Sequence, residues 1–145
     1  AVGPDGNGIH HQQQRQHHAC RVTRWTGTLT FNHITDGLGN TLFIGDKHIR
    51  PGKFLTTLED SSVFNGDHTY GFVRYAGLQA DTGIERPLAA GADSTRAAQR
   101  FGSWHPQQCQ FLFGDGSVRG IQNSIALDVL TRLADRADGL PVGDF

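Results

Sequence analysis

The chain has 145 residues, 19% of them charged, and a formal charge of −1 with neutral histidines. That length fits one domain or a piece of a larger protein, and a chain of this size buries roughly 70% of its unfolded surface. The charge balance supplies no basic field, which excludes a phosphate backbone or an anionic membrane surface as the main partner.

Nineteen glycines without a fixed period indicate a turn-rich β protein rather than a fibrous one. No signal peptide, transit peptide or 18-residue apolar run is present, and the longest apolar stretches are short, such as Phe111-Leu112-Phe113. The sequence opens on Ala1 without Met, as expected of a processed chain or a fragment. Cys20 and Cys109 are the only cysteines, too few for a zinc site and without a CxxC. They are candidates for one disulfide in an oxidising compartment, with two buried thiols as the alternative.

Residues 1–19 are rich in Gly, Gln and His and carry no apolar periodicity, so an irregular lead-in is expected before a single domain spanning 20–145. The pairs His10-His11 and His17-His18 could attract nickel or zinc, but no carboxylate or Cys at helix or hairpin spacing completes a shell. A solvated polar tract is the simpler reading. From Cys20 to Phe31 the chain alternates Val22, Arg24, Thr26, Thr28 and Thr30 with Thr23, Trp25, Leu29 and Phe31, which predicts a strand. In residues 34–46, Thr35-Asp36-Gly37 and Gly39-Asn40 have turn chemistry, and a short buried strand is expected from Thr41 to Gly45.

Pro51-Gly52 marks a turn, and a polar stretch then ends at Asn65-Gly66-Asp67-His68. Thr69 to Leu78 alternates again and predicts a strand, whereas 79–100, broken by Pro87 and Gly91, reads as loop. Arg86, Arg96 and Arg100 within it are expected to form a solvated face. The strongest structural signal is a hairpin: Cys109 to Phe113, a turn at Gly114-Asp115-Gly116-Ser117, then Val118 to Ile121. An amphipathic helix is predicted over 124–136, capped by Asn123 or Ser124, with Ile125, Val129 or Leu130, and Leu133 on one face and Gly139 ending it. The tail from Leu140 to Phe145 is partly apolar and is expected to dock on the body. The fold class is α+β: an antiparallel β-rich domain with one C-terminal amphipathic helix.

Three ordered segments carry a family resemblance over about residues 32–145. His105 is followed by nine residues and then Asp115-Gly116, which resembles the prepilin-type processing-associated H-X9-DG domain of planctomycete and related bacteria. Ile34, Thr35, Asp36, Gly37, Asn40, Thr41 and Gly45 are similar to that family's ITDG-x-x-NT-hydrophobic-Gly-Glu segment. Asp138-Gly139 and Val142-Gly143-Asp144-Phe145 are similar to its closing tail. Two departures stand out: Gln107-Gln108 follows His105-Pro106 where the family commonly has Gly-Gly, and Asp46 stands in place of Glu. The resemblance implies an exported, pseudopilin-like head domain in the periplasm, at the cell surface or outside the cell, in a family sometimes classed as solute-binding-protein-like. It also implies a prepilin leader and a long apolar helix ahead of the domain. Any membrane contact would come from that helix, which this sequence lacks.

Each candidate site has a sharp and a plain reading. His105 and Asp115 could be a base and its orienter in a hydrolase, but Ser103 and Ser117 sit in no nucleophile elbow. Structural use is simpler: His105 anchors a strand start and Asp115 bonds its own turn. Pseudopilin-like loops suggest calcium, with Asp36 and Asp115 the leading ligands and Asp46 and Asp67 behind them. Calcium takes six to eight oxygens, and no D-x-D-x-D-G run supplies them. Trp25, Trp104, Tyr70 and Tyr75 could stack on sugar rings, although strand aromatics more often lie in a core. The leading expectation is a non-enzymatic structural or assembly module with no required cofactor. Its partners would be other protein subunits, copies of itself or an N-terminal portion of the same precursor, met through edge strands or apolar patches. A glycan-binding module is second and a hydrolase third.

Overall fold

The computed structural model describes residues 27–55, 58–60, 62, 71, 73–92, 99–143 and 145. Seven strands are formed among them: β1 (Leu42–Gly45), β2 (Gly77–Gln79), β3 (Ile84–Arg86), β4 (Ala89–Ala90), β5 (Gly102–Ser103), β6 (Gln108–Phe113) and β7 (Val118–Gln122). One helix, α1 (Leu127–Ala134), follows, and three 3-10 turns lie at Phe31–His33, Leu38–Asn40 and Leu58–Asp60. The strands pair as an antiparallel sheet in the order β1-β6-β7, an antiparallel pair β2-β3 and a parallel pair β4-β5. Among the described residues the fold is thus α+β, mostly antiparallel, with α1 as its C-terminal helix.

The β6–β7 hairpin is the centre of the domain because its sequence satisfies a strand on both counts, alternation and turn. Cys109, Phe111, Phe113 and Ile121 point to one face and are fully buried, the period-two pattern of a half-covered sheet. Leu42 of β1, Leu88, Phe101, and Leu130 and Leu133 of α1 complete the core. The turn is closed by Phe113 N–H to Ser117 O at 2.9 Å, with Gly116 at φ +85°.

The helix packs on β2 through a contact only glycine allows. A Cβ on Gly77, whose φ is +81°, would lie 2.5 Å from Thr131 Cα. In its place the Leu78 amide donates to Thr131 Oγ1 at 2.8 Å. The helix is shorter than the 124–136 expected. At its start Ile125 N–H closes a turn onto Gln122 O, and Ala126 is the extended residue before the first turn, so neither Asn123 nor Ser124 caps it. At its end Asp135 turns extended and its carboxylate accepts the amides of Arg136 at 2.7 Å and Ala137 at 3.0 Å. This side chain offers the backbone an alternative to another helical turn, so the helix stops before Gly139.

Four other expectations are corrected. Of the 20–31 strand, residues 20–26 lie outside the described residues, 27–30 form no strand, and Phe31–His33 turn in a 3-10 helix. Every residue from 27 to 33 is exposed, so alternation here has no sheet to pair with, and the Thr30 amide bonds His33 Nδ1 instead. Of the 69–78 strand, only Gly77 and Leu78 are strand among the described residues, with Tyr75 in an isolated bridge to Arg100. The supposed loop at 79–100 carries β3 and β4, with Pro87 falling between the two rather than inside either. Its two described arginines do not form a solvated face. Arg100 is buried and donates to Pro87 O, Arg86 is half-buried over the Tyr75 ring, and Arg96 lies outside the described residues. The lead-in at 1–19 and His68 lie outside them as well.

Candidate functional site

Asp36, Gly37, Asn40, Thr41, Asp115 and the Asp138-Gly139 tail meet in one knot of loops, and most of their polar atoms hold that knot together. Asp36 lies in the turn before the Leu38–Asn40 helix. Its Oδ2 accepts the Asp138 amide at 2.8 Å and its Oδ1 the Gly139 amide at 3.0 Å, more than a hundred residues along the chain. The Asp36 amide in turn donates to Arg136 O. Gly37, at φ +93°, offers its carbonyl to Asn40 N–H and to Thr41 Oγ1 at 3.1 Å, while Asn40 Nδ2 donates to Asp36 O at 3.2 Å. The loop is therefore self-capped and clamps the C-terminal tail.

The hairpin turn docks beside it. Asp115 N–H donates to Leu38 O at 3.2 Å, and Gly114 N–H to Thr41 O at 3.0 Å. Asp115 Oδ1 accepts both the amide of Ser117 at 2.9 Å and its hydroxyl at 2.7 Å, and Oδ2 faces Arg119 at 3.3 Å. The Ser117 bonds hold the Asp115 carboxyl below the ordinary carboxylate range. The Arg119 guanidinium also covers the Phe113 ring, 4.2 Å from its centre. Asp36 and Asp115 thus sit on adjoining loops but turn their carboxylates to different donors. Among the described residues no group of three or more His, Cys, Asp or Glu side chains converges.

His105 stands apart from this knot. It is exposed, and its amide donates to Ser103 Oγ at 3.0 Å. All of β6 lies between His105 and Asp115, and six strand residues span about 20 Å. A base and its orienter need hydrogen-bond reach, so these two residues do not form the pair a hydrolase would use.

The aromatic candidates separate too. Trp25 lies outside the described residues, and so does Tyr70. Tyr75 is half-buried under the Arg86 guanidinium, 5.6 Å from its ring centre. Trp104 is 47% exposed yet fixed: its Nε1 donates to Ile49 O at 2.9 Å, its ring is parallel to the buried His48, and Phe54 tilts against it at 5.5 Å. Cys109 is buried in the core, which pushes its thiol up to about 12, and Cys20 lies outside the described residues.

One surface was not foreseen residue by residue. On the outer side of the β1-β6-β7 sheet, Ile44 faces Leu112 and Leu112 faces Val118. Ile44 is 65% and Val118 66% exposed, with Leu112 half-buried between them. Gln108, Gln110, Gly120 and Gln122 occupy the rest of the face and are exposed. No strand residue on this face is charged. Asp46, at its margin, turns its carboxylate inward to the Gln110 amide at 2.9 Å.

A family model described as "Protein of unknown function (DUF1559)" matches residues 1–128. The chain belongs to that family. No curated protein and no solved structure matches it. Among the described residues no helix is long and apolar enough to cross a membrane.

Proposed function

We propose that this DUF1559 chain is a non-enzymatic assembly module of an exported, pilin-like protein in the periplasm, at the cell surface or beyond it. The observation that carries this reading is the uncovered outer face of the β1-β6-β7 sheet, where Ile44, Leu112 and Val118 form a continuous apolar row. Single exposed apolar residues are ordinary, whereas a contiguous apolar row supports the reading of this face as a docking surface. The joining of Asp36, Asp115 and the Asp138-Gly139 tail in one knot supports the pilin-like reading, because part of each ordered segment then shares a structural purpose, with His105 outside it. That knot uses its carboxylates as scaffold, which favours binding by surface over catalysis.

The test is site-specific photo-crosslinking in cells, with the photoreactive residue at Val118 and, as a control, at exposed Thr82 in the β2–β3 turn. Discrete protein adducts at position 118, lost on Ile44→Lys, are the expected result. Labelling at 118 no stronger than at 82 would sink the assembly reading.

A second reading rests on Trp104. An indole half open to solvent and fixed through its N–H presents a preorganised ring on which a sugar can stack. Retention on polysaccharide columns that Trp104→Ala abolishes, at unchanged thermal stability, would favour it. Equal elution of the two proteins would remove it.

A further inference from the structure

Two half-open aromatic rings meet in a corner at the surface, and both are fixed by hydrogen bonds. Trp104 and Phe54 are each 47% exposed, with ring centres 5.5 Å apart and planes at 55°. The indole is pinned by its bond to Ile49 O at 2.9 Å and lies parallel to the buried His48 ring. Phe54 stands between two fixed points of its own loop. Before it, Lys53 N–H closes a turn onto Arg50 O at 3.1 Å, with Gly52 at φ +71°. After it, the Leu55 amide donates to Asp60 Oδ2 at 2.7 Å. Rings fixed before a ligand arrives lose little freedom on binding it.

Backbone strain gathers at the same place. Among the described residues three non-glycine residues have left-handed φ, and two of them flank the corner. Leu55, at +56°, directly follows Phe54, and Gln107, at +73°, lies three residues after Trp104. Such strain costs stability, persists only where the surroundings enforce it, and clusters at ligand-binding sites. Here the Asp60 carboxylate enforces it at Leu55, and the Asn123 amide, bonded to Gln107 O at 2.8 Å, enforces it at Gln107.

Size and chemistry narrow the ligand. Two half-exposed rings fall far short of the roughly 800 Å² per partner that a specific protein interface takes, whereas one indole matches one pyranose in width. A glucose-type pyranose carries its hydroxyls equatorially, so its two faces are flat C–H surfaces that pack on an aromatic ring. Those hydroxyls lie around the ring edge and call for groups that both donate and accept. His105 and Gln107, exposed in the segment that follows Trp104, carry such groups. Resting on the sugar-binding reading of Trp104, we propose that Trp104 and Phe54 together hold one unit of a glucose-type polysaccharide. The unit stacks on the indole, Phe54 forms the side wall, and His105 and Gln107 meet the hydroxyls. A corner one unit wide binds weakly by itself, and a long polysaccharide gains by engaging many copies of the chain.

The experiment titrates the full, nitrogen-15-labelled 145-residue chain with cellohexaose and follows amide and indole resonances by NMR. Saturable shifts are expected at the Trp104 indole N–H and at the amides of Phe54, His105 and Gln107. Trp104→Ala and Phe54→Ala should each weaken binding about ten-fold, the size of one aromatic contact. Trp104→Phe, which keeps a ring without the anchoring N–H, should fall between, and it decides if Trp104→Ala fails to fold. Leu55 is 94% exposed, and a stacked sugar has no use for its side chain, whereas an apolar partner would bury it. Leu55→Asn, which suits left-handed backbone, should therefore bind as the native chain does. No saturable shift at the corner with cellohexaose overturns the proposal. Binding lost in Trp104→Ala but complete in Phe54→Ala overturns it too, and leaves the single-ring sugar reading standing. Shifts with phosphatidylcholine vesicles that Leu55→Asn removes, with none from cellohexaose, would assign the corner to a lipid surface instead.

Discussion

Replacing Asp36 by Ala removes the clamp that joins the loop before β1 to the C-terminal tail. Two amides, Asp138 and Gly139, lose an ionised acceptor. Hydrogen bonds to charged groups contribute about 1.5–3 kcal/mol each, and these amides lie near solvent where water replaces part of the loss, so about 2–4 kcal/mol is expected. If the tail lifts, Val142 leaves the core and Phe145 leaves the Phe113 ring, on which it stacks at 6.0 Å. Half-burying a Phe is worth roughly 1 kcal/mol more. The total is a large part of the roughly 5–15 kcal/mol that holds a domain together. Hydrogen exchange by mass spectrometry reads the local event and urea melting the global one. The amides of 136–145 should exchange much faster in Asp36→Ala and at an intermediate rate in Asp36→Asn, which keeps one carbonyl acceptor. Asp115→Ala should loosen the hairpin turn around Ser117 and leave the tail protected. Unchanged protection at Asp138 and Gly139 in the Asp36→Ala protein would refute the clamp, whatever happened to the melt.

Three further outcomes follow from single contacts. Gly77→Ala should cost about 2–4 kcal/mol in urea titration, combining left-handed backbone strain with overpacking onto Thr131. Gly83→Ala, also at positive φ but with nothing within 4 Å of its Cβ, should show only the strain, and equal losses at the two positions would deny the close approach. Cys109 should resist thiol reagents in the native protein and react at the rate of unfolding, because burial pushes its thiol up to about 12; rapid native labelling in a Cys20→Ser background would contradict that. The hydrogen bond from Arg50 holds the Glu59 carboxyl below its ordinary range. A depressed carboxyl contributes stability above its unfolded pKa, and that contribution disappears as the pH falls through the lower folded value. The melting temperature of the native chain should therefore drop in acid more steeply than that of Glu59→Gln, and parallel curves would rule the pair out as the cause.

What was legible in the sequence was local. The β6–β7 hairpin needs only its own alternation and one Asp-Gly, and the turn roles of Asp115 and Gly37 follow from residue type. The helix was visible as a stripe, but its ends were not, since Asp135 stops it with a side-chain bond that no capping rule placed there. The partner of Asp36 could not be read at all: its acceptors bond amides about a hundred residues away. Trp104 was expected as core or sugar platform, and its half-exposed, fixed position depends on the carbonyl of Ile49, which is remote in the chain.

The outer sheet row was hidden for a different reason, which lies in the register of β1. Leu42 pairs with Phe113 but Ile44 pairs with Leu112, so Phe43 is an extra residue bulged from the ladder. With regular pairing, Phe43 would face Leu112, and Ile44 would face Phe111 on the buried side. That position has no room for a side chain. With the bulge, Gly45 occupies it, and even a Cβ there would come within 2.5 Å of the Phe111 ring and 2.9 Å of Phe101. The pair Phe101–Phe111, packed at 5.2 Å, therefore requires glycine opposite it. Placing Gly45 there pushes Ile44 out to solvent, because side chains alternate along a strand and a slip of one residue reverses every face. The buried ring pair and the exposed aliphatic row are two sides of one register choice. A substitution at Gly45 should therefore disturb the exposed aliphatic row as well as the core.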